Sequence, residues 1–211
     1  MTRLGWRIAA CGSLLGMMPG ILPAQSQVRN PNALISLVTE RSAAHPGQDI
    51  GVAIRLEMEP GWHIYWRNPG ESGIATSMEW RLPEGWTVDP LDYPTPQRED
   101  VAGVVTHVHS GDVAFGTRIR VPDLASGSGR LGVKVTYGIC RDTCIPGTAT
   151  LSMTLPVAAG SSSITPEWLQ VLPTMNTRRP VAGGPRIAAV VADTMVVLTL
   201  RSRPGSPLRP G

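Results

Sequence analysis

The residues of this chain best suited to chemistry are two cysteines separated by three residues, Cys140 and Cys144. At this spacing, in a connection between two strands, the two Cα atoms come within the separation that a disulfide bond requires. The bond closes a ring of about five residues, for which the chain-entropy estimate is about 2 kcal/mol, against more than about 4 kcal/mol for a ring of about 100 residues. A bridge of this size contributes little stability and can open without unfolding the domain.

Charged neighbours act on this pair in opposite directions. Arg141 favours a thiolate, whereas Asp142 disfavours it, and the sequence places no helix N-terminus nearby to stabilise a thiolate further. We therefore expect reactivity that depends on access and on recognition by a partner. The alternative is a scaffold domain in which an inert disulfide clamps a turn, as exported proteins often contain.

A second candidate group is formed by His107 and His109, which share one face if they lie on a strand. Together with Cys140 and Cys144 they are a possible ligand set for zinc, or with fewer ligands for copper(I). A copper- or zinc-binding module is therefore the alternative function. An isolated pair of this kind in a loop-rich β protein is usually exposed, so we interpret both as surface histidines and expect no metal and no other cofactor.

Composition and motifs exclude several other classes of function. The sequence has no G-x-S-x-G elbow, no H-E-x-x-H and no P-loop, and we expect no small-molecule substrate. The net charge of +3 is uneven, because residues 27–175 hold 11 basic and 15 acidic residues, whereas residues 176–211 hold six arginines and one aspartate. The globular part is thus mildly acidic and offers no overall basic character for nucleic acid.

Residues 1–26 have the features of a secretory signal peptide. Two arginines precede a largely apolar run over residues 8–22, and cleavage after Ser26 fits the small residues at its −3 and −1 positions. Cleavage after Ala24 and an uncleaved N-terminal anchor are the alternatives. Export places the cysteine pair in an oxidising compartment, where thiols pair unless something reduces them.

Alternating apolar and polar residues, interrupted by Gly and Pro, dominate residues 27–157. We predict eight or nine short strands with turns about every 8–12 residues, which is typical of an all-β domain with an immunoglobulin-like β-sandwich architecture. Residues 104–121 are expected to form a hairpin, and the proline-rich residues 90–100 a surface loop. The cysteines fall in the connection between two strands predicted at residues 131–137 and 148–155.

The rest of the chain differs in character from this sandwich. Residues 158–185 are predicted to be a linker with one helical turn at residues 168–173. Residues 186–211 are predicted to hold a β-hairpin at residues 187–200 and a polar tail. Because a lone hairpin is marginally stable in water, we interpret residues 186–211 as a fragment of a second β domain or a tail. The alternative is a hairpin that packs on the first domain.

Three segments carry a family resemblance: MEPGWHIYWRNPGESG at 58–73, EWRLPEGW at 79–86 and YGICRDTCIPG at 137–147. Together they resemble the N-terminal periplasmic domain of DsbD-type thiol:disulfide interchange proteins, in particular the branch associated with suppression of copper sensitivity. The likeness extends over about residues 33–157. It implies an immunoglobulin-like sandwich, a periplasmic location and thiol–disulfide exchange.

The resemblance also implies roles for residues and partners. The active pair maps onto Cys140 and Cys144, with Cys144 exposed to partners and Cys140 resolving the mixed disulfide. Electrons are implied to come from a membrane-embedded reductase domain and a thioredoxin-like domain, and to pass to a periplasmic disulfide isomerase or reductase. In this family an aromatic residue in a loop caps the pair, and Tyr65, Trp66 and Tyr93 are the candidates here.

Two features of this sequence depart from the family pattern. The best-known members have a wider cysteine spacing than the C-x3-C found here. The membrane-embedded and thioredoxin-like domains are not part of this sequence, so we expect the chain to need partners and not to be a complete protein-disulfide reductase. A fragment, a truncated form and a subunit that meets its partners separately all fit this expectation.

Overall fold

The computed structural model describes residues 26–177, 186–192 and 195–201. The elements follow along the chain as β1 (Gln27–Asn30), β2 (Ala33–Thr39), β3 (Asp49–Met58), β4 (His63–Gly70), β5 (Ser77–Arg81), β6 (Thr87–Val88), β7 (Gln97–Val101), β8 (Val104–Ser110), β9 (Asp112–Arg120), β10 (Gly127–Cys140), β11 (Cys144–Val157), α1 (Pro166–Thr177), β12 (Arg186–Ala192) and β13 (Met195–Arg201). The first sheet has the order β1-β2-β3-β9-β6. The second has the order β11-β10-β4-β8-β7, and β5 also pairs with β10.

The two sheets bury a common core, which confirms the predicted all-β, immunoglobulin-like sandwich. In β10, Leu131, Val133 and Val135 are at most 1% exposed, whereas the residues between them face outward. Burial of such apolar side chains is the main favourable term in folding. The other large core side chains come from both sheets: Ile35, Ile50, Ile54, Leu56, Ile64, Phe115, Ile119, Tyr137, Leu151 and Leu155. The G-x-G-x-x-G spacing at residues 127–132 lies inside β10 and precedes no helix, so it is not a dinucleotide-binding turn.

The predicted hairpin over residues 104–121 is wrong. β8 pairs with β4 and β7 in the second sheet, whereas β9 pairs with β3 and β6 in the first. The turn at Gly111 therefore carries the chain from one sheet to the other. The sequence pattern does not distinguish these arrangements, because a hairpin and a crossing between sheets both place every second residue in the core.

The predicted surface loop over residues 90–100 is wrong in its second half. Residues 97–101 form β7, which pairs with β8 from Gln97↔Val108 to Val101↔Val104. All three prolines of the segment precede β7. The proline-free half retains every backbone N–H, and it can therefore join the sheet as an edge strand.

The predicted linker, residues 158–185, contains α1, which packs on the outer face of the first sheet. Its backbone begins with a cap, because the Trp168 N–H donates a hydrogen bond to the Thr165 hydroxyl at 3.3 Å. Gly51 leaves room for the indole, since a Cβ at Gly51 would lie 2.7 Å from the Trp168 ring. Apolar residues three or four positions apart form the packed face, and this contact joins Trp168, Val171, Leu172 and Met175 to Val38, Ala53 and Ala114.

The hairpin predicted at residues 187–200 is present as the antiparallel pair β12 and β13. Its assignment to a second β domain, residues 186–211, stays a prediction. The predicted signal peptide, residues 1–26, lies outside the described residues except for Ser26. No helix in the described ranges is long and apolar enough to cross a membrane.

We predict that Trp168→Ala lowers the free energy of unfolding by about 1–3 kcal/mol, because the half-buried indole loses its packing on the sheet. Leu169→Ala is the matched control, since Leu169 lies on the same helix and is 56% exposed. Its truncation is expected to change stability by less than about 0.5 kcal/mol. Urea unfolding followed by circular dichroism measures both variants, and equal small effects would show that the helix does not stabilise the sandwich.

Candidate functional site

The two cysteines are the last paired residues of a long hairpin. β10 and β11 pair without interruption from Gly127↔Val157 to Cys140↔Cys144, and a three-residue turn joins the strands. The cysteines form a disulfide with their Cα atoms 4.1 Å apart. The strands therefore extend up to the cysteines, further than the sequence pattern predicted. This ladder holds the two Cα atoms close together whether or not the sulfurs are bonded.

The two sulfur-bearing residues differ in access. Cys140 is 2% exposed and packs with Tyr65 and Val108, whereas Cys144 is exposed on the edge strand β11. Even-numbered residues of β10 point away from the core, since Ile139 belongs to the core cluster and Cys140 does not. An incoming thiolate can therefore reach Cys144, while Cys140 is covered by its neighbours.

The side chain of Tyr65 lies against the disulfide. Tyr65 is on β4, two residues after His63, which is the residue paired with Cys140. Its hydroxyl lies 3.5 Å from Cys144 Sγ, and because a disulfide sulfur carries no proton, the tyrosine is the donor. Burial raises the pKa of Tyr65 above its usual value, and the negative charge of Glu99 raises it further. The phenol therefore stays protonated at neutral pH and can donate to sulfur.

A folded-back loop holds Tyr65 in this position. The Tyr65 carbonyl accepts hydrogen bonds from the Thr76 hydroxyl at 2.7 Å and the Thr76 N–H at 3.3 Å. Gly73 passes directly over the ring, because a Cβ at Gly73 would lie 2.3 Å from Tyr65 Cε1. Gly73 also has φ +106°, a backbone conformation that favours glycine. The segment after β4 thus fixes the ring by backbone contacts that few other residues permit.

The other two aromatic candidates lie elsewhere. Trp66 follows Tyr65 and contacts the His107 ring edge-on at 6.0 Å between centroids. Tyr93 packs edge-on against Phe115 at 5.4 Å and donates a hydrogen bond to the Thr76 carbonyl at 3.1 Å. Of the three candidates, Tyr65 is the one that the structure brings to the disulfide.

The turn between the cysteines carries two opposite charges, which form an ion pair. The Arg141 guanidinium lies 5.0 Å from the centre of the Trp62 ring, and its Nε is 3.1 Å from Asp142 Oδ2. Both side chains are largely exposed, so water screens their fields. These two opposing charges next to Cys144 are therefore weak influences on its sulfur, and the dependence of its reactivity on access stays a prediction.

The structure does not bring the two histidines to the cysteines. Val108 lies on the face of β8 that meets Cys140, so His107 and His109 point to the opposite face. His109 is 0% exposed and contacts the Phe115 ring edge-on at 5.6 Å. The interpretation as a surface histidine is therefore wrong for His109. β8 lies between β4 and β7 in its sheet, and the side chain of His109 faces the core. In the part of the chain that is described, no group of three or more His, Cys, Asp or Glu residues is placed to hold a metal ion.

The surface loop predicted over residues 90–100 gives Glu99 no part in the site. Glu99 pairs with Thr106 in the β7–β8 ladder, and its charge raises the pKa of Tyr65. A strand prediction for residues 97–101 would have found it, because alternation places Gln97 and Glu99 on the same face as Val108 and Tyr65.

The fold and the site together define a class: a β-sandwich domain that presents an asymmetric, solvent-accessible cysteine pair at the end of one sheet. The family described as "Thiol:disulfide interchange protein DsbD, N-terminal" matches residues 36–156. The chain belongs to this family, as the sequence resemblance predicted. The family implies thiol:disulfide interchange in general terms.

One solved structure gives the same picture of the fold. The N-terminal periplasmic domain of ScsB from Proteus mirabilis is similar at 22% identity and a TM-score of 0.59, over 84% of this chain and 68% of that one. At this identity the likeness shows the fold alone. The N-terminal domain of DsbD from Neisseria meningitidis, in its reduced form, is matched at 9% identity and a TM-score of 0.33, over 61% of this chain and 89% of that one. None of the curated proteins compared with the chain matches it.

We predict that Tyr65→Ala increases the rate at which dithiothreitol reduces the disulfide by about threefold or more, because the ring that covers Cys140 is removed. Tyr65→Phe is the control that keeps the ring, and its rate is expected to stay within about twofold of the wild-type rate. Quenching with a maleimide at timed intervals and counting modified thiols by mass spectrometry gives the rates. A rate for Tyr65→Ala equal to the wild-type rate would show that the ring does not limit access.

Proposed function

We propose that this chain is a periplasmic thiol–disulfide exchange module whose active pair is Cys140 and Cys144. The observation that carries the proposal is the difference in exposure of the two residues, with Cys144 exposed and Cys140 2% exposed in one hairpin. Exchange needs one sulfur that a partner can attack or that can attack a partner, and a second that completes the transfer within the protein.

In the reduced module, the Cys144 thiolate attacks one sulfur of a partner disulfide. A new bond forms between Cys144 and that sulfur, the partner's sulfur–sulfur bond breaks, and the partner's other sulfur leaves as a thiolate. The Cys140 thiolate then attacks Cys144 Sγ, which forms the Cys140–Cys144 disulfide and releases the first partner sulfur as a thiolate. The partner gains two electrons and takes up two protons from solvent, and the module becomes oxidised.

The hairpin supports this cycle because its geometry does not depend on the sulfur–sulfur bond. Backbone pairing continues to Cys140↔Cys144 itself, so the two thiols of the reduced state remain close after the bond opens. The ring is small, and its closure contributes only about 2 kcal/mol on the chain-entropy estimate. Opening and closing of the disulfide therefore leave the sandwich folded.

Tyr65 is proposed to act as the cap that the family resemblance implies. Its ring packs on Cys140, and its hydroxyl points at Cys144 Sγ from 3.5 Å. In the oxidised module the ring shields the buried sulfur from nonspecific thiols. In the reduced module the same hydroxyl can donate a hydrogen bond to the Cys144 thiolate, which favours the charged form.

The partners follow from the family and complete the electron path. A membrane-embedded reductase domain and a thioredoxin-like domain are proposed to supply electrons. A periplasmic disulfide isomerase or reductase is proposed to receive them. The chain is one component of such a protein-disulfide reductase system, and its proposed location in the periplasm is supported by its likeness to the N-terminal periplasmic domain of ScsB.

We predict that Cys140→Ser traps a mixed disulfide and that Cys144→Ser does not. The probe is a peptide whose single cysteine is bonded to thionitrobenzoate. The release of thionitrobenzoate is followed by the absorbance of its free thiolate. Reduced Cys140→Ser is expected to end as a stable protein–peptide adduct, since the residue that resolves the adduct is missing. Reduced wild-type protein is expected to end as the internal disulfide with free peptide.

In Cys144→Ser the thiol of the pair that remains is the buried one, so its reaction with the same peptide is expected to be at least about tenfold slower. Intact-mass spectrometry identifies the adducts in all three proteins. Fast adduct formation by Cys144→Ser, or a persistent adduct in the wild-type protein, would refute the assignment of roles.

A further inference from the structure

The outer face of the second sheet carries a groove bordered by cations. The groove has a volume of about 580 Å³. Arg81, Arg130 and Lys134 line it, and its floor includes the short residues Gly132, Thr150 and Ser152. The role proposed above for the cysteines makes no use of this groove.

Strand register puts the groove and the disulfide on one face of the sheet. Lys134 pairs with Thr150 and Cys140 pairs with Cys144, six residues further along each strand. Residues separated by an even number of positions point to the same side of a strand, and six positions span about 20 Å. The groove therefore lies about 20 Å from the cysteines along the same two strands.

An open path along β11 connects the two features. Pro146 and Thr148 lie between Cys144 and Thr150 at alternate positions, and all four residues are exposed. β11 is the edge strand of its sheet. A polypeptide bound at Cys144 can therefore continue in extended form over these small side chains to the groove.

Acidic residues are scarce on the part of this face that β10 and β11 form. Residues 27–175 carry four more acidic than basic residues, yet the two 14-residue strands β10 and β11 contain no Asp or Glu. Glu79 brings one carboxylate, 3.8 Å from Lys134 Nζ. Arg81 is exposed and forms no ion pair with any residue that the structure describes. The groove thus keeps a positive surplus in a domain that is otherwise negative.

We infer that this groove docks an acidic segment of the protein that exchanges disulfides at Cys144, an inference that rests on the proposed function. Three cations around a floor of short side chains fit several carboxylates of an extended segment. Opposite charges on two partners accelerate their encounter and fix their relative position. The groove acts as the second contact point, which selects the partner while Cys144 performs the exchange.

A peptide without cysteine tests the groove separately from the redox chemistry. The probe is a fluorescein-labelled peptide with four glutamates alternating with serines, and its counterpart has four lysines. Fluorescence anisotropy is expected to show binding of the acidic peptide alone, weakened at least about fivefold by Arg81→Glu or Lys134→Glu. Arg118→Glu makes the same change of charge at an exposed position on the first sheet, and it is expected to leave binding within about twofold of wild type.

A second peptide tests whether binding of an acidic segment accelerates the exchange reaction at Cys144. It carries one cysteine bonded to thionitrobenzoate, then a six-residue Gly/Ser spacer and four glutamates. At about 0.05 M salt the reduced protein is expected to react with it about tenfold faster than with the lysine counterpart, and the difference is expected to disappear near 1 M salt. Arg81→Glu is expected to remove the preference and to leave the reaction with free thionitrobenzoate disulfide unchanged.

The outcomes separate the groove from the proposed function. Equal binding of the acidic and lysine peptides would overturn the inference that the groove docks an acidic segment. An equal loss of binding in Arg118→Glu and Arg81→Glu would do the same. Binding of the acidic peptide in the groove by a protein that does not exchange with either activated peptide would refute the proposed function and leave the anionic binding surface in place. Preference for the acidic peptide in both assays, lost together in Arg81→Glu, supports the inference in full.

Discussion

The antiparallel pairing of β10 with β11 is the constraint on which the rest of the structure depends. All fourteen residues of β10 pair with β11, so one register decides which residues face the core and which face solvent. It sends Ile139 inward and Cys140 outward, and it ends at the two cysteines. A shift by one residue would reverse every side chain of the hairpin and bury the exposed cysteine.

Packing on the outer face then gives the two bonded cysteines different exposure to solvent. Cys140 lies where β10 pairs with β4, and the Tyr65 ring covers it. Cys144 lies on the edge strand β11, and none of the strands that the structure describes covers it on its outer side. The difference in access therefore comes from sheet order and from one tyrosine, with balanced charges in the intervening turn. The same outer face extends to the cationic groove, so the proposed exchange site and the proposed docking groove share one sheet.

Much of this arrangement could be predicted from the sequence, because it rests on local signals. Alternation and Gly/Pro turns indicate the sandwich, and the C-x3-C spacing with its flanking motif indicates a cysteine pair that can form a disulfide. The rest depends on contacts between distant segments. Alternation does not tell to which sheet β8 and β9 belong. The sequence also leaves three aromatic residues as equal candidates to cap the cysteines, and only the structure shows that Gly73 packs on the Tyr65 ring and that Tyr65 contacts Cys144 Sγ. The burial of His109 likewise follows from the position of β8 inside its sheet.

The reduction potential of the Cys140–Cys144 pair tests the central claim most directly. The purified chain is equilibrated in glutathione buffers of graded composition, and alkylation of Cys140 and Cys144, located by peptide mass spectrometry, reports the oxidised fraction of the pair. A redox-active pair is expected to have a potential between about −180 and −270 mV, the range of thiol-exchange proteins. A potential below about −300 mV is typical of structural disulfides, and it would contradict the exchange function and leave a scaffold domain with a permanent bridge.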